Sequence, residues 1–396
     1  MIAAEWELRS DTLYLNHGSF GPPPRAVKAA RAQWQQRLDE QPMDFLVRQY
    51  EPAYFAARER LARFVGCAAD NLVFAENATA AMNHVAASFA LSPGDEVLLT
   101  DHEYGAVKRI WERACAGAGA SVRTVAMPLP FTTAEEVVAT ILQAVTPRTR
   151  LVVVSHITSP TAVILPVAQI CAALRERGIA IAIDGPHAIA QVPLALDQLD
   201  CDYYCASLHK WLCAPFGSGF FYVHPRHQAA AQPAMLSWGR IYPEDLKHWS
   251  DEFIWSGTRD AAAWLAVPAA IDFLEGYGLE KFRTECHALA QYARQQLVEF
   301  TGLTPIVPDD PAWYGTMAHV PLPSGDARSL QKALWDRHRI EVPIVSWNDR
   351  RYIRVSCHLY NTRDHIDALL TALRQEIKPP AATKGSCRIR CGNPLR

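Results

Sequence analysis

Short, mostly apolar runs alternate with helical patterns through the first two-thirds of the chain, and that alternation limits the folds open to it. Leu72–Ala75, Glu96–Thr100, Leu151–Ser155, Ile179–Ile183, Asp202–Cys205 and Gly219–Val223 are rich in Val, Ile, Leu and Phe and show little polar–apolar alternation. Strands that are apolar on both sides must be covered on both sides. Between them, Ala80–Ala90, Tyr104–Ala118, Ala134–Val145 and Val167–Gly178 carry apolar residues at helical spacing, and Gly178 is placed to cap the last. The pattern predicts an α/β fold, with a mostly parallel sheet flanked by helices in a large domain over residues 51–256.

Beyond Arg259 the pattern changes. Helical stretches at Ala261–Tyr277 and Leu279–Phe300 lead into the Pro- and Asp-rich Val307–Pro311. A strand at Met317–Val320, a helix at Ala327–Arg337, a strand at Tyr352–Ser356 and a helix at Thr362–Gln375 follow. This predicts a smaller α+β domain over residues 257–378. Residues 1–50 read as an N-terminal segment, in which Gly18, Gly21 and Pro22–Pro24 form a loop entering a helix at Arg25–Gln41. Residues 379–396 are basic, lack apolar periodicity and read as a flexible tail.

A chain of 396 residues with 49% hydrophobic content can bury the cores of two domains. Its net charge of −2 supplies no basic field for nucleic acid, and no apolar run is long enough to cross a bilayer. A small molecule is the expected partner. The acids in Met1–Glu7 stand where a signal peptide needs basic and apolar residues. Ten cysteines are scattered, most within apolar segments such as Ile170-Cys171-Ala172, which predicts reduced thiols in a cytoplasmic protein. Cys201 and Cys205 are wrongly spaced for a zinc knuckle and the only other close pair is Cys387 with Cys391, so no metal is expected.

Lys210 is the residue most suggestive of chemistry. It lies in Ser207-Leu208-His209-Lys210-Trp211, just after an apolar strand, and Asp184 closes the strand before that one. A lysine amine can form a Schiff base with the aldehyde of pyridoxal phosphate. An acid can hold the pyridine nitrogen protonated, which makes the ring an electron sink. Ligands bind at the carboxyl ends of strands in such sheets, and a buried carboxylate there needs a donor or cation. A capping aspartate at the Gly185-Pro186 turn and a surface lysine are the competing readings.

Glu76-Asn77-Ala78-Thr79 follows a strand and opens a helix, where free backbone N–H groups and the Thr79 hydroxyl could hold a phosphate; an ordinary N-cap explains Asn77 or Thr79 equally well. Ser207 and His209 can also reach phosphate oxygens. Tyr104, in Asp101-His102-Glu103-Tyr104, could lie on a ring or pack in the core. His187 could face a phenolic oxygen or be a core histidine. Arg354, within a strand, could fork onto a carboxylate or belong to a buried ion pair. Arg48 could meet a distal carboxylate or lie on a solvated helix face.

Read together, Tyr14–Gly21, Gln41–Leu46, Asp101–Tyr104, His209–Leu212, Gly257–Asp260 and Leu334–Glu341 resemble the class V aminotransferase group of fold-type I pyridoxal phosphate enzymes. The likeness covers nearly the whole chain and stops at the tail. Within the group these segments are most similar to epimerases of β-lactam pathways, a subgroup that also contains C–S lyases acting on cysteine conjugates. The resemblance implies a large domain with a seven-stranded sheet and pyridoxal 5'-phosphate as cofactor. It implies Lys210 as the Schiff-base lysine, Asp184 on the pyridine nitrogen, His187 near the phenolic oxygen and Tyr104 on the ring. Asn77, the Ala78 backbone, Thr79, Ser207 and His209 match the phosphate cup. Thr258 matches a residue that reaches the neighbouring subunit's phosphate, which implies a homodimer. Arg354 matches the arginine for the substrate α-carboxylate, and Asn16 and His17 match the segment on the substrate side.

The implied reaction is inversion of the aminoadipyl α-carbon that turns isopenicillin N into penicillin N, with β-elimination from a cysteine conjugate as the alternative. Inversion needs a second proton carrier opposite Lys210, for which His17, Tyr50 and Tyr104 are the candidates. Cysteine desulfurases of the class carry a reactive cysteine shortly before the carboxylate arginine. No cysteine occurs from Thr301 to Arg354, and Cys357 reads as structural, so persulfide chemistry is not expected.

Overall fold

The computed structural model describes residues 2–239 and 246–377; the predicted tail at 379–396, with Cys387 and Cys391, lies outside the described residues. Twelve strands are present among them. In chain order they are β1 (Leu13–Tyr14), β2 (Leu72–Ala75), β3 (Glu96–Thr100), β4 (Ser121–Val125), β5 (Thr149–Ser155) and β6 (Ala180–Asp184). They continue as β7 (Tyr203–Ser207), β8 (Gly219–Val223), β9 (Met317–Pro321), β10 (Ile340–Glu341), β11 (Ile344–Trp347) and β12 (Arg350–Ser356).

The central sheet has seven strands in the order β2-β8-β7-β6-β5-β3-β4. Only β8 runs antiparallel to its neighbours β2 and β7, so β2 points the same way as β7. The turns that follow β2, β3, β5, β6 and β7 therefore all emerge at one edge of the sheet.

Alternate residues of each strand feed two separate cores, as expected for a doubly covered sheet. Leu72, Leu98, Val152, Ile183, Tyr204 and Phe220 face one layer of helices. Val73, Val97, Val153, Ala182, Tyr203 and Phe221 face the other. Each such Val, Leu, Ile or Phe side chain contributes roughly 1.5–3 kcal/mol by leaving water. The central strands are apolar throughout because neither face touches solvent.

A smaller antiparallel sheet, β11-β12-β9, packs with the helices Leu279–Thr301, Ala327–His338 and Arg363–Glu376 around a third core that includes Leu334, Ile353 and Leu370. The N-terminal segment joins this region, since β1 pairs with β10 and Leu15 lies in its core. One expectation needs correction, and two elements were not read. The helix read as Ala261–Tyr277 is two helices, Ala262–Leu265 and Val267–Tyr277, because Pro268 supplies no N–H and disfavours helical backbone before it. Edge strand β4 was not foreseen, because its sequence Ser-Val-Arg-Thr-Val is half exposed and lacks the apolar signal of the inner strands. The helix Tyr50–Val65 was not read either; it buries Tyr54, Leu61 and Val65.

Candidate functional site

The turns at the carboxyl edge enclose a cavity of 620 Å³, the position expected for a ligand in such a sheet. Asp184 ends β6 and is 4% exposed. The next residue must be glycine, because a Cβ on Gly185 would collide with the ring of Tyr204. Burial raises the Asp184 carboxyl above the usual carboxylate range, and the nearby Lys210 amine opposes that shift.

Lys210 follows β7 and lines the same cavity. Burial pushes its amine well below the usual lysine range; Asp184 pulls the value back up and Arg354 pushes it down. The Lys210 Nζ lies 3.0 Å from Nε2 of His187, a residue 1% exposed that sits beneath the lysine. The rate at which apoprotein captures a small aldehyde at Lys210 is expected to level off well below lysine's ordinary pKa of about 10.4. A stopped-flow pH profile that rises steadily to that value would contradict a buried neutral amine.

The loop after β2 opens the helix Ala78–Ser88, with Asn77 as N-cap accepting from the Ala80 N–H at 2.9 Å. Ser207 Oγ accepts from the Ala78 N–H at 2.9 Å, which ties this helix start to the end of β7. Asn77, Ala78, Thr79, Ser207 and His209 all line the cavity. His209 Nδ1 is buried without a partner among the described residues. Gly219 permits the close packing, since a Cβ there would lie 2.7 Å from Asn77 Cα. A helix N-terminus with two hydroxyls and a spare imidazole nitrogen suits a bound dianion.

Arg354, from β12, reaches the cavity from the smaller sheet and is 5% exposed. Its Nη2 donates to Ser19 Oγ at 3.0 Å, its Nη1 donates to the Ser159 carbonyl, and its Nε has no partner among the described residues. No carboxylate faces it among these contacts, so the buried ion pair entertained as a structural role is not what holds it. Burial lowers its guanidinium to about 10, and an incoming carboxylate would relieve that cost.

The structure separates the remaining candidates. Tyr104 lines the cavity and is half exposed. Asn16 does not line it: its Nδ2 donates to Glu341 Oε1 at 3.0 Å beside a neighbouring pocket. His17 is fully buried beneath the lysine loop, with Nδ1 2.7 Å from the Tyr360 hydroxyl and Nε2 3.0 Å from the Lys210 carbonyl. Tyr50 is spent on the Ile254 carbonyl. Of the three candidate proton carriers, only Tyr104 reaches the cavity. Thr258 is exposed and outside it. Arg48 pairs with Asp44 at 3.0 Å on a solvated helix face and does not line the cavity.

The sequence reading missed Gly18, Ser19, Phe20, Ser159 and Phe216, all of which line the cavity. Ser159 was accessible by rule, since it lies in the loop after β5 at the ligand edge. Glu103 was passed over as well. It is buried behind Asp184 and accepts from Thr100 Oγ1 at 2.7 Å, Ser155 Oγ at 2.7 Å and Ser155 N–H at 3.1 Å. Burial raises its carboxyl to about 7, against an ordinary value of 4.5. Between those values the folded protein keeps a proton that the unfolded chain releases. This group's stabilising contribution is therefore complete below pH 4.5 and declines as pH rises to about 7. Glu103→Gln should flatten that part of the melting-temperature profile against pH; an unchanged slope would contradict the assignment.

His17, Cys213 and His358 are also close together and buried, with Cys213 Sγ 3.6 Å and 3.4 Å from the two Nε2 atoms. The two imidazoles are stacked 3.9 Å apart at 14°, so their in-plane lone pairs run nearly parallel and do not converge on one ion.

Comparison with known proteins follows the same lines. The sequence model of the family described as aminotransferase class-V matches residues 24–369. Isopenicillin N epimerase of Amycolatopsis lactamdurans is 40% identical over 95% of this chain and 99% of its own length. The enzyme of that name from Streptomyces clavuligerus is 36% identical over 94% and 98%. A putative L-cysteine desulfhydrase of Oryza sativa subsp. japonica is 31% identical over 94% and 85%. Among solved structures, a cystine C–S lyase in complex with its product cysteine persulfide superposes with a TM-score of 0.83 at 23% identity, covering 92% of this chain and 97% of the other. Among the described residues no helix is long and apolar enough to cross a membrane.

Proposed function

The chain belongs to the aminotransferase class-V family, and from that premise we propose that it is a pyridoxal 5'-phosphate-dependent epimerase that inverts the aminoadipyl α-carbon of isopenicillin N to give penicillin N. The observation that carries the reading is the 40% identity, end to end, with an isopenicillin N epimerase. The chemistry of the cavity agrees with it. A dianion site at the Ala78 helix start, an acid on the floor and a partly neutral lysine fit the phosphate, ring nitrogen and aldehyde of one cofactor.

When bound, pyridoxal phosphate supplies an aldehyde for capturing the substrate amine and a ring that accepts the electron pair left by a departing α-proton. Thr79, Ser207, His209 and the backbone at Asn77–Ala78 would hold its phosphate. Asp184 would accept the ring N–H and stay charged beside it. Arg354, steered by Ser19 and Ser159, grips the substrate α-carboxylate with its fork. Lys210 Nζ takes the α-proton from one side. Tyr104, the candidate proton carrier that lines the cavity with Lys210, returns a proton from the other.

Tyr104→Phe keeps an aromatic ring and removes the hydroxyl. Inversion should fall by about 10²-fold while α-proton exchange catalysed from the Lys210 side continues. Equal loss of both, or of neither, would remove Tyr104 from the proton-carrying role. The reading also includes a cytoplasmic homodimer, supported by the exposed Thr258, which is free to face a second subunit's phosphate site.

Proton NMR in deuterium oxide tests the function. With the cofactor-loaded protein, the aminoadipyl α-proton of isopenicillin N should disappear while a second diastereomer grows. Pyruvate release from a cysteine conjugate, with no exchange on isopenicillin N, would replace the epimerase with a C–S β-lyase, the reading favoured by the rice desulfhydrase relative.

A further inference from the structure

Trp211 is the residue after Lys210 and is fully buried, with no part in the mechanism above. Its indole Nε1–H donates to His187 Nδ1 at 3.3 Å, and His187 Nε2 lies 3.0 Å from Lys210 Nζ. An indole can only donate. His187 Nδ1 must therefore be the acceptor, and the single proton of a neutral imidazole must sit on Nε2. That proton points at the lysine nitrogen. A hydrogen bond forms there only if the nitrogen offers a lone pair, so the geometry disfavours an ammonium, which would set N–H against N–H.

We infer that Trp211 is a positioning residue that fixes His187 in its Nε2–H form and thereby favours the neutral, nucleophilic state of Lys210. The inference deepens the cofactor reading above, on which its consequence for catalysis rests, but the relay is built from protein side chains alone. The charged and titratable groups that face it are accounted for. Asp184 raises the Lys210 value, while Arg354 lowers it and also acts on His187. His17 and Gln191 hydrogen-bond to the backbone carbonyls of Lys210 and His187, and the rings of His17 and His358, both kept neutral by burial, pack against the Trp211 ring. His209, half-buried on the neighbouring position, is kept neutral by desolvation. None of these can supply a directional bond to His187 Nδ1.

Long-range proton–nitrogen spectra of apoprotein carrying isotope-labelled histidine, with His187 assigned by its disappearance in H187N, read the tautomer directly in the native sequence. The Nε2–H form is expected at neutral pH, and the Nδ1–H form overturns the inference. Trp211→Phe then tests the consequence. Freed from its donor, His187 can accept from an ammonium, so the apoprotein Lys210 titration should rise by about one pH unit, a tenfold fall in neutral amine. In the H187N background there is no imidazole tautomer for residue 211 to set, so the same Trp211→Phe change should shift nothing. An equal shift in both backgrounds, or none in a folded W211F protein, would make Trp211 a packing residue and overturn the proposal. Should W211F not fold, the tautomer spectrum decides alone.

Discussion

Lys210→Ala protein is expected to fold, to lack the visible band of a lysine-linked cofactor, and to lose α-proton exchange by roughly 10⁴-fold. The size follows from two losses at one atom. Lys210 both anchors the aldehyde and moves the α-proton, and no other amine lines the cavity to take over either task. Folding should survive, because burial already disfavours the charged amine and truncation removes a desolvated group from the site. Exchange measured by NMR within tenfold of the parent protein would sink the assignment. Thermal unfolding of the apoprotein separates lost chemistry from lost structure.

Asp184→Ala should cost about 10²–10⁴-fold in the same exchange assay, from the roughly 3–5 kcal/mol lost when one member of a buried charge pair is removed. The two variants should differ in one readout. Asp184 raises the Lys210 pKa, so its removal leaves the amine more neutral and does not block cofactor capture. Asp184→Ala protein should therefore keep its visible band while losing its rate. Loss of the band together with the rate would make Asp184 a structural support for the lysine and not a partner of the ring nitrogen.

Much of this site was legible in the sequence for a physical reason. An acid closing an apolar strand and a lysine just past another can be buried together only at the sheet's ligand edge, so Asp184, Lys210 and the Asn77–Thr79 turn could be placed before any coordinates. The inner strands were legible because two-sided burial leaves a continuous apolar signal, whereas the helix Tyr50–Val65 was not read. Edge strand β4 carries no such signal. His17 and Asn16 illustrate the other limit: motif matching located their segment, but only packing reveals that His17 points under the lysine loop while Ser19 and Phe20 face the cavity. Glu103 escaped notice because it stands beside the more conspicuous Tyr104, and its partners Thr100 and Ser155 come from two different strands.

The contact between the N-terminal loop and the lysine loop bears on how this protein can be handled. Gly21 N–H donates to the His209 carbonyl at 3.0 Å, and His17 holds the Lys210 carbonyl next to it. A Cβ on Gly21 would run into those same carbonyls. The opening twenty residues thus form one wall of a chamber whose chemical groups are encoded more than fifty positions later. Shortening the protein to begin at the helix Tyr50–Val65, a natural cut for expression, would unroof the lysine and strip Arg354 of its Ser19 support. Such a fragment would make a poor surrogate for screening inhibitors or substrates, however well its sheet folded.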